Sequence, residues 1–206
     1  MNITLAIIVI TVLVSIYAWR NESLLDNLVL NPQKVFRRGQ WYRLLTSGFV
    51  HADFGHLLFN MFTLFFFGRL IEQVFGALFG SSGPLYLLFF YLIAIVVSDL
   101  PTLFRYRNRS NYNSLGASGG VSALLFAAIM FVPTEKILIM GVIPIPGFIF
   151  GALYMGYSFY ESRRGGSNIN HDAHLFGAIF GVIVVILLYP PVVSSFVEQV
   201  SGWRLF

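Results

Sequence analysis

The chain has 206 residues, of which 57% are hydrophobic, 17% aromatic and only 11% charged, and its mean hydropathy is +0.76. A soluble domain carries about 25% charged residues, so this composition belongs in lipid, and the length suits one domain over residues 1–206 rather than two. With no cysteine there is no disulfide, thiolate nucleophile or thiolate metal site, and a formal charge of +4 with a pI near 9.5 fits basic loops beside anionic headgroups rather than nucleic-acid binding.

A membrane span needs roughly 20 mostly apolar residues, with a lower limit near 17. Ile3–Trp19 qualifies, and without a basic leader or a small-residue cleavage site it reads as a retained helix rather than a signal peptide. Further apolar runs cover Gly55–Phe75, Pro84–Leu100, Gly116–Phe131, Pro146–Phe159 and Ala173–Tyr189. Six spans are therefore expected, and helices are the default because lipid offers backbone polar groups no partner. Pro144 and Pro146 mark the entry to the fifth, since proline suits the first turn of a helix.

The connections differ in character. Arg20–Val50 is long, polar and aromatic, with Trp41 and Tyr42 suited to the membrane interface. Pro101–Leu115 carries Arg105, Arg107 and Arg109 among many Asn and Ser, and Glu161–Asp172 is Gly/Ser/Asn-rich and reads as mobile. With six spans these three loops share one face and hold ten basic residues, against three on the other face (Arg69, Lys136, Arg204). The positive-inside rule would put the loop-rich face in the cytoplasm. No internal repeat is present, which weakens a transporter reading.

Strongly polar residues inside spans are costly and read as functional by default. His51-Ala-Asp-Phe-Gly-His56-Leu-Leu-Phe-Asn60 opens the second span. His56 and Asn60 lie one helical turn apart on one face, because each residue turns about 100°. They could glue helices together or aim donors at a developing negative charge. Gly116-Ala117-Ser118-Gly119-Gly120 opens the fourth span, and Ser114, Ser118 and Ser122 form one small-residue stripe. Taken alone, that stripe is packing. His171-Asp172-Ala173-His174 opens the sixth, where His174, Gly177 and Gly181 share a face suited to close crossing. His171 and His174 alone make a poor metal site, so no metal is expected.

Together the clusters mean more. A small face bearing Ser118 can pack on a glycine face bearing His174. Serine needs a base because its hydroxyl is a weak nucleophile at neutral pH, and a neutral imidazole supplies one. Asn60, His56 and the Ser118 backbone N–H are available to steady an oxyanion. No acidic residue is placed to orient the imidazole, which suggests a Ser–His dyad.

The chain resembles the rhomboid intramembrane serine proteases from about Asn31 to Tyr189. The resemblance rests on Trp41-Tyr42-Arg43, His51…His56…Asn60, Gly68…Glu72…Gly76, Gly116-Ala117-Ser118-Gly119 and Ala173-His174…Gly177…Gly181, in that order. It implies an all-α membrane protein, a six-transmembrane-helix bundle with a long interfacial first loop. It implies Ser118 as nucleophile and His174 as general base and acid. His56, Asn60 and the Ser118 N–H would stabilise the oxyanion, with Gly116, Gly119, His51, Gly177 and Gly181 in support. The substrates would be transmembrane proteins within the lipid bilayer, docking beside the second and fifth spans under a cap at Gly165-Gly166-Ser167, with no cofactor. A cell-membrane location with the active site facing away from the cytoplasm is expected, against the basic-residue count. Two departures stand out. Tyr42 separates Trp41 from Arg43, where the family often has Trp-Arg, and Ser122 stands where some members carry an aromatic against the histidine ring. Two other functions are possible: a non-catalytic relative binding transmembrane helices for quality control, and a small channel or transporter.

Overall fold

The structure is a computed structural model that describes residues 2–139, 141–164 and 169–204. Helix α1 (Ile3–Trp19) has the expected bounds and starts at Asn2, whose side chain accepts the Leu5 N–H. The long first loop is folded rather than open. It contains α2 (Glu22–Leu28), α3 (Pro32–Arg38) and α4 (Arg43–Thr46), with Asn21 and Asn31 capping the first two. These short helices wrap around the Arg43 side chain, which is only 1% exposed. Its guanidinium donates to the Asp26 and Val29 carbonyls at 2.5 and 2.9 Å and to Gln40 Oε1 at 2.7 Å. Five donors in a fixed fork allow one side chain to satisfy several loop acceptors. Tyr42 lies under the Arg43 guanidinium at 5.6 Å, while Trp41 packs edge-on to Phe36. Tyr42 is therefore the aromatic that contacts the arginine.

A single π turn, Leu64–Gly68, joins α5 (Phe54–Thr63) to α6 (Arg69–Phe79). Helical backbone then continues through the turn Gly80–Ser82 into α7 (Gly83–Arg105). The chain doubles back there: Phe79 stacks on Tyr86 at 4.1 Å and Phe75 meets Phe90 at 5.9 Å. The turn is tight because a Cβ at Gly83 would lie 2.6 Å from the Gly76 nitrogen. Pro101, expected to begin a loop, lies inside α7, where its missing N–H removes a ladder bond and its ring crowds the carbonyl one turn back.

The remaining helices are α8 (Ser118–Phe131), α9 (Gly147–Arg164), α10 (His171–Leu188) and α11 (Val192–Gly202). Among the described residues strand pairing is confined to the antiparallel hairpin of β1 (Lys136–Ile139) and β2 (Ile143–Pro146) and an isolated Leu30–Ser114 bridge. Pro144 and Pro146 belong to β2 rather than to the first turn of α9. Helix α11 was not expected at all. The Phe54–Arg105 stretch and α10 are long and apolar enough to cross a membrane, and α1 and α8 are shorter apolar helices.

Helix α8 is the axis of the fold, buried from Gly119 through Met130. The outer faces expose large apolar side chains such as Leu13, Phe59 and Leu187, while Thr11, Ser15, Ser98 and Ser122 are buried. An exposed apolar belt of this extent fits contact with lipid. Glu72 on α6 closes the bundle at one end, accepting the Ile3 and Thr4 N–H groups at 2.7 and 3.2 Å and the Thr4 hydroxyl at 2.7 Å. A carboxylate suits the positive end of α1. The stretch Gly165–Ser167, expected to cap the site, lies outside the described residues.

Candidate active site

Ser118 is the first residue of α8 and half-buried. The segment before it is tied down residue by residue. Leu30 and Ser114 exchange two backbone hydrogen bonds of 2.9 Å, and Gly116 N–H donates to the Ser47 carbonyl at 2.9 Å. Ala117 N–H donates to His51 Nε2 at 3.2 Å. Gly116 has φ +118°, a backbone region that side chains disfavour. The His56 ring also covers it, so a Cβ there would lie 2.6 Å from His56 Cε1. The ring of one proposed oxyanion donor thus sits two residues before the proposed nucleophile.

Helices α8 and α10 cross in backbone contact. A Cβ at Gly177 would overlap the Gly119 carbonyl, and one at Gly181 would overlap the Ala123 carbonyl. Glycine permits this approach because nothing projects from its Cα. Gly119 also faces Ser98, whose side chain leaves no room for a Cβ. The crossing brings Ser118, beside Gly119, to the level of His174, three residues before Gly177. Among the described residues the Ser118 hydroxyl makes no hydrogen bond to the imidazole. Catalytic hydrogen bonds are often long without substrate and tighten when it binds.

His174 stands in the first turn of α10. Asn170 caps that turn by accepting the Ala173 N–H at 3.1 Å. The Asn170 amide also donates to Asp99 Oδ1 at 3.1 Å and Ser114 Oγ at 3.0 Å, and its oxygen accepts from Thr102 Oγ1 at 2.8 Å. Ser47 of the first loop reaches the other Asp99 oxygen. This network joins α7, the segment before Ser118 and the start of α10. Buried Asp172 pairs with Arg105 at 2.7 Å and with the Ser162 hydroxyl.

His56 and Asn60 share a face of α5, as their spacing requires. Asp53 caps that helix by accepting the His56 N–H at 2.8 Å, and buried Asn60 donates from Nδ2 to the His56 carbonyl at 2.9 Å. An amide nitrogen has two hydrogens, so this bond does not exhaust Asn60 as a donor.

His51 is fully buried before the start of α5. Its Nε2 accepts from Ala117, so its proton is on Nδ1, which faces Ser15 Oγ at 3.1 Å. Its carbonyl accepts from Trp19 Nε1 at 2.7 Å. Burial, reinforced by neighbouring His56 and opposed by Asp53, pushes its pKa down to about 3. His51 is thus a neutral tie between α1 and the serine segment.

Sequence reasoning missed Asp99 and Asn170, and read Ser114 only as part of a small-residue stripe. A signal existed for Asp99, an ionisable residue within an apolar span. Asn170 and Ser114 are ordinary loop residues whose importance arises only when the loops meet.

A family model described as the Rhomboid domain matches residues 38–191. The chain is 30% identical over 175 residues to the RHOMBOID-like protein 12, mitochondrial, of Arabidopsis thaliana, a match covering 80% of this chain and 52% of that protein. It is 31% identical over 161 residues to the Rhomboid-like protein 11, chloroplastic, of the same plant, covering 72% and 52%. It is 27% identical over 143 residues to the Rhomboid protease GlpG of Haemophilus influenzae, covering 69% and 67%. The chain spans about half the length of the two plant relatives. The family match and the apolar helices support a membrane protein, and relatives named as mitochondrial and chloroplastic give no support to the cell membrane in particular.

Proposed function

The chain belongs to the rhomboid family, and on that premise we propose that it is an intramembrane serine endopeptidase acting on transmembrane proteins through Ser118 and His174. The observation that carries this reading is the backbone contact of Gly119 with Gly177, which holds a serine-bearing helix start against a histidine-bearing one. The Ser118 hydroxyl attacks the scissile carbonyl while His174 takes its proton. The imidazolium then protonates the leaving amine, and a water molecule, deprotonated by the same imidazole, releases the acyl group. The oxyanion is steadied by His56, Asn60 and the Ser118 N–H, an N–H left without an intrahelical partner because it opens α8. All of these groups belong to the chain, so the reaction requires no cofactor. Gly116 and Gly119 leave room for His56 and for the crossing, and Gly181 extends that crossing one turn further.

The test compares wild type with Ser118→Ala in liposomes, using a reporter with a helix-destabilised transmembrane segment and a fluorophosphonate probe. Cleavage and labelling that both vanish in the variant support the protease. A folded wild type that does neither overturns it and favours a relative that binds transmembrane helices without cutting them.

The loop-rich face is proposed to open away from the cytoplasm. Asn108 is exposed on that face, and with no native cysteine Asn108→Cys would carry the only thiol. Protection of that thiol from impermeant reagents in intact cells would reverse the assignment.

A further inference from the structure

The imidazole of His174 meets an aromatic wall that comes from an unexpected helix. Ser122, four residues after Ser118, is too small to form one. Tyr154 of α9 lies nearly parallel to His174 instead, with ring centroids 6.0 Å apart and planes 18° apart. That separation falls within the favourable range for offset ring pairs. The Tyr154 hydroxyl is 2.6 Å from Ser122 Oγ on α8. Phe126 and Phe150 flank the tyrosine ring at 5.5 and 5.8 Å. Ser122 is buried and Tyr154 partly so, and buried hydroxyls are almost always paired. The small serine therefore both leaves room for the tyrosine and anchors its far end.

We propose that Tyr154 is a positioning residue for His174, and that the Ser122–Tyr154 hydrogen bond makes the orientation of the imidazole depend on α9 being seated against α8. The proposal rests on the assignment of His174 as the base. The terminal torsion of a histidine is broad, so its ring plane is set by what packs against it. His171 meets the His174 ring edge-on at 5.8 Å and limits it on one side. Tyr154 supplies a flat face. Among the described residues the outer face of α9 meets no other helix, since its Leu153 and Tyr160 are exposed and a Cβ at Gly156 would touch nothing. Displacement of α9 breaks the bond to Ser122 and withdraws the wall, so the base is aligned only while the bundle is closed around it.

The experiment uses the full chain in liposomes and the variants Tyr154→Ala, Tyr154→Phe, Ser122→Ala and Ser122→Ala/Tyr154→Phe. Fluorophosphonate labelling of Ser118 reads alignment without the need for a substrate helix to enter. Tyr154→Ala is expected to lower both the labelling rate and kcat about tenfold to a hundredfold, the scale of a small misplacement of a reacting group, with little change in KM. Tyr154→Phe keeps the ring and should retain more activity than Tyr154→Ala. The double variant should be no worse than the weaker single, because both remove one shared bond. In NMR spectra the His174 ring protons should shift in Tyr154→Ala as the neighbouring ring current is lost. A purely structural role would reduce the folded fraction but leave the labelling rate of folded molecules unchanged. Folded Tyr154→Ala that labels at the wild-type rate, or whose His174 resonances do not move, overturns the proposal. A wild type that neither labels nor cleaves would overturn the protease assignment instead, and the His174 resonances would still test the wall.

Discussion

The backbone N–H of Ala117 donates to Nε2 of His51 at 3.2 Å, across 66 positions of sequence. This bond attaches the residue before Ser118 to a side chain that is itself fastened to α1 through Ser15 and Trp19. It also fixes the tautomer, because a nitrogen that accepts from an amide cannot carry a proton. His51→Ala would leave the Ala117 N–H buried without its acceptor, at a cost of about 1–3 kcal/mol. Chemical denaturation in micelles would read the stability loss, and fluorophosphonate labelling would read the loosened serine.

The same bond predicts a pH dependence. In the folded chain the His51 pKa is pushed down to about 3, below the ordinary imidazole value near 6.5. Between these values the unfolded chain binds more protons, so stability falls as pH is lowered through that window. His51→Gln, which does not titrate, should flatten this part of the profile. An unchanged slope would mean that His51 is not the group responsible.

The first and the sixth of the expected apolar helices were legible because lipid favours long apolar runs. Ile3–Trp19 agrees at both ends, and Ala173–Tyr189 lies within one or two residues of α10. The β1–β2 hairpin was hidden by Pro144 and Pro146, which argue against a strand in general but are tolerated on edge strands, and both strands of a two-stranded sheet are edges. Helix α11 was missed because Ser194, Ser195, Glu198 and Gln199 interrupt its apolar pattern. In the candidate site, small residues and histidines announced themselves by type and spacing. Tyr154 did not, because its place against His174 depends on how α9 approaches α8.

Gly177 offers a direct test of the helix crossing. A methyl group there would overlap the Gly119 carbonyl, which is backbone and cannot turn aside. Gly177→Ala should therefore separate α8 from α10 and lower the labelling of Ser118 by about a hundredfold, the cost of a displacement near 1 Å. Gly156→Ala is the control, since its Cβ would touch nothing. Its better helix propensity should raise stability slightly, by up to about 1 kcal/mol. Equal labelling in both variants would show that the crossing does not set the site.

Arg105 and Asp172 can be separated by a double-variant cycle. Asp172 has a side chain only 4% exposed and depends on Arg105, which is 45% exposed. Arg105→Ala leaves that carboxylate with the Ser162 hydroxyl, and a loss of about 1–3 kcal/mol is expected. Adding Asp172→Asn removes the stranded charge and should recover part of the loss. Denaturant midpoints of the four proteins would give the coupling, and a value near zero would mean that the pair is incidental.

Asn60 tests the oxyanion assignment. It is buried on α5 and donates to the His56 carbonyl, so its truncation has both a structural and a chemical consequence. The two separate by readout. Loss of a transition-state donor lowers kcat by about a hundredfold or more while leaving KM in place. Loss of the local tie alone would loosen α5 and lower the unfolding midpoint with kcat per folded molecule intact. Asn60→Ala should follow the first pattern, and His56→Ala should follow it too, because the His56 ring covers Gly116 beside the nucleophile. If Asn60→Ala lowers only the unfolding midpoint, the oxyanion must be held by His56 and the Ser118 N–H without it.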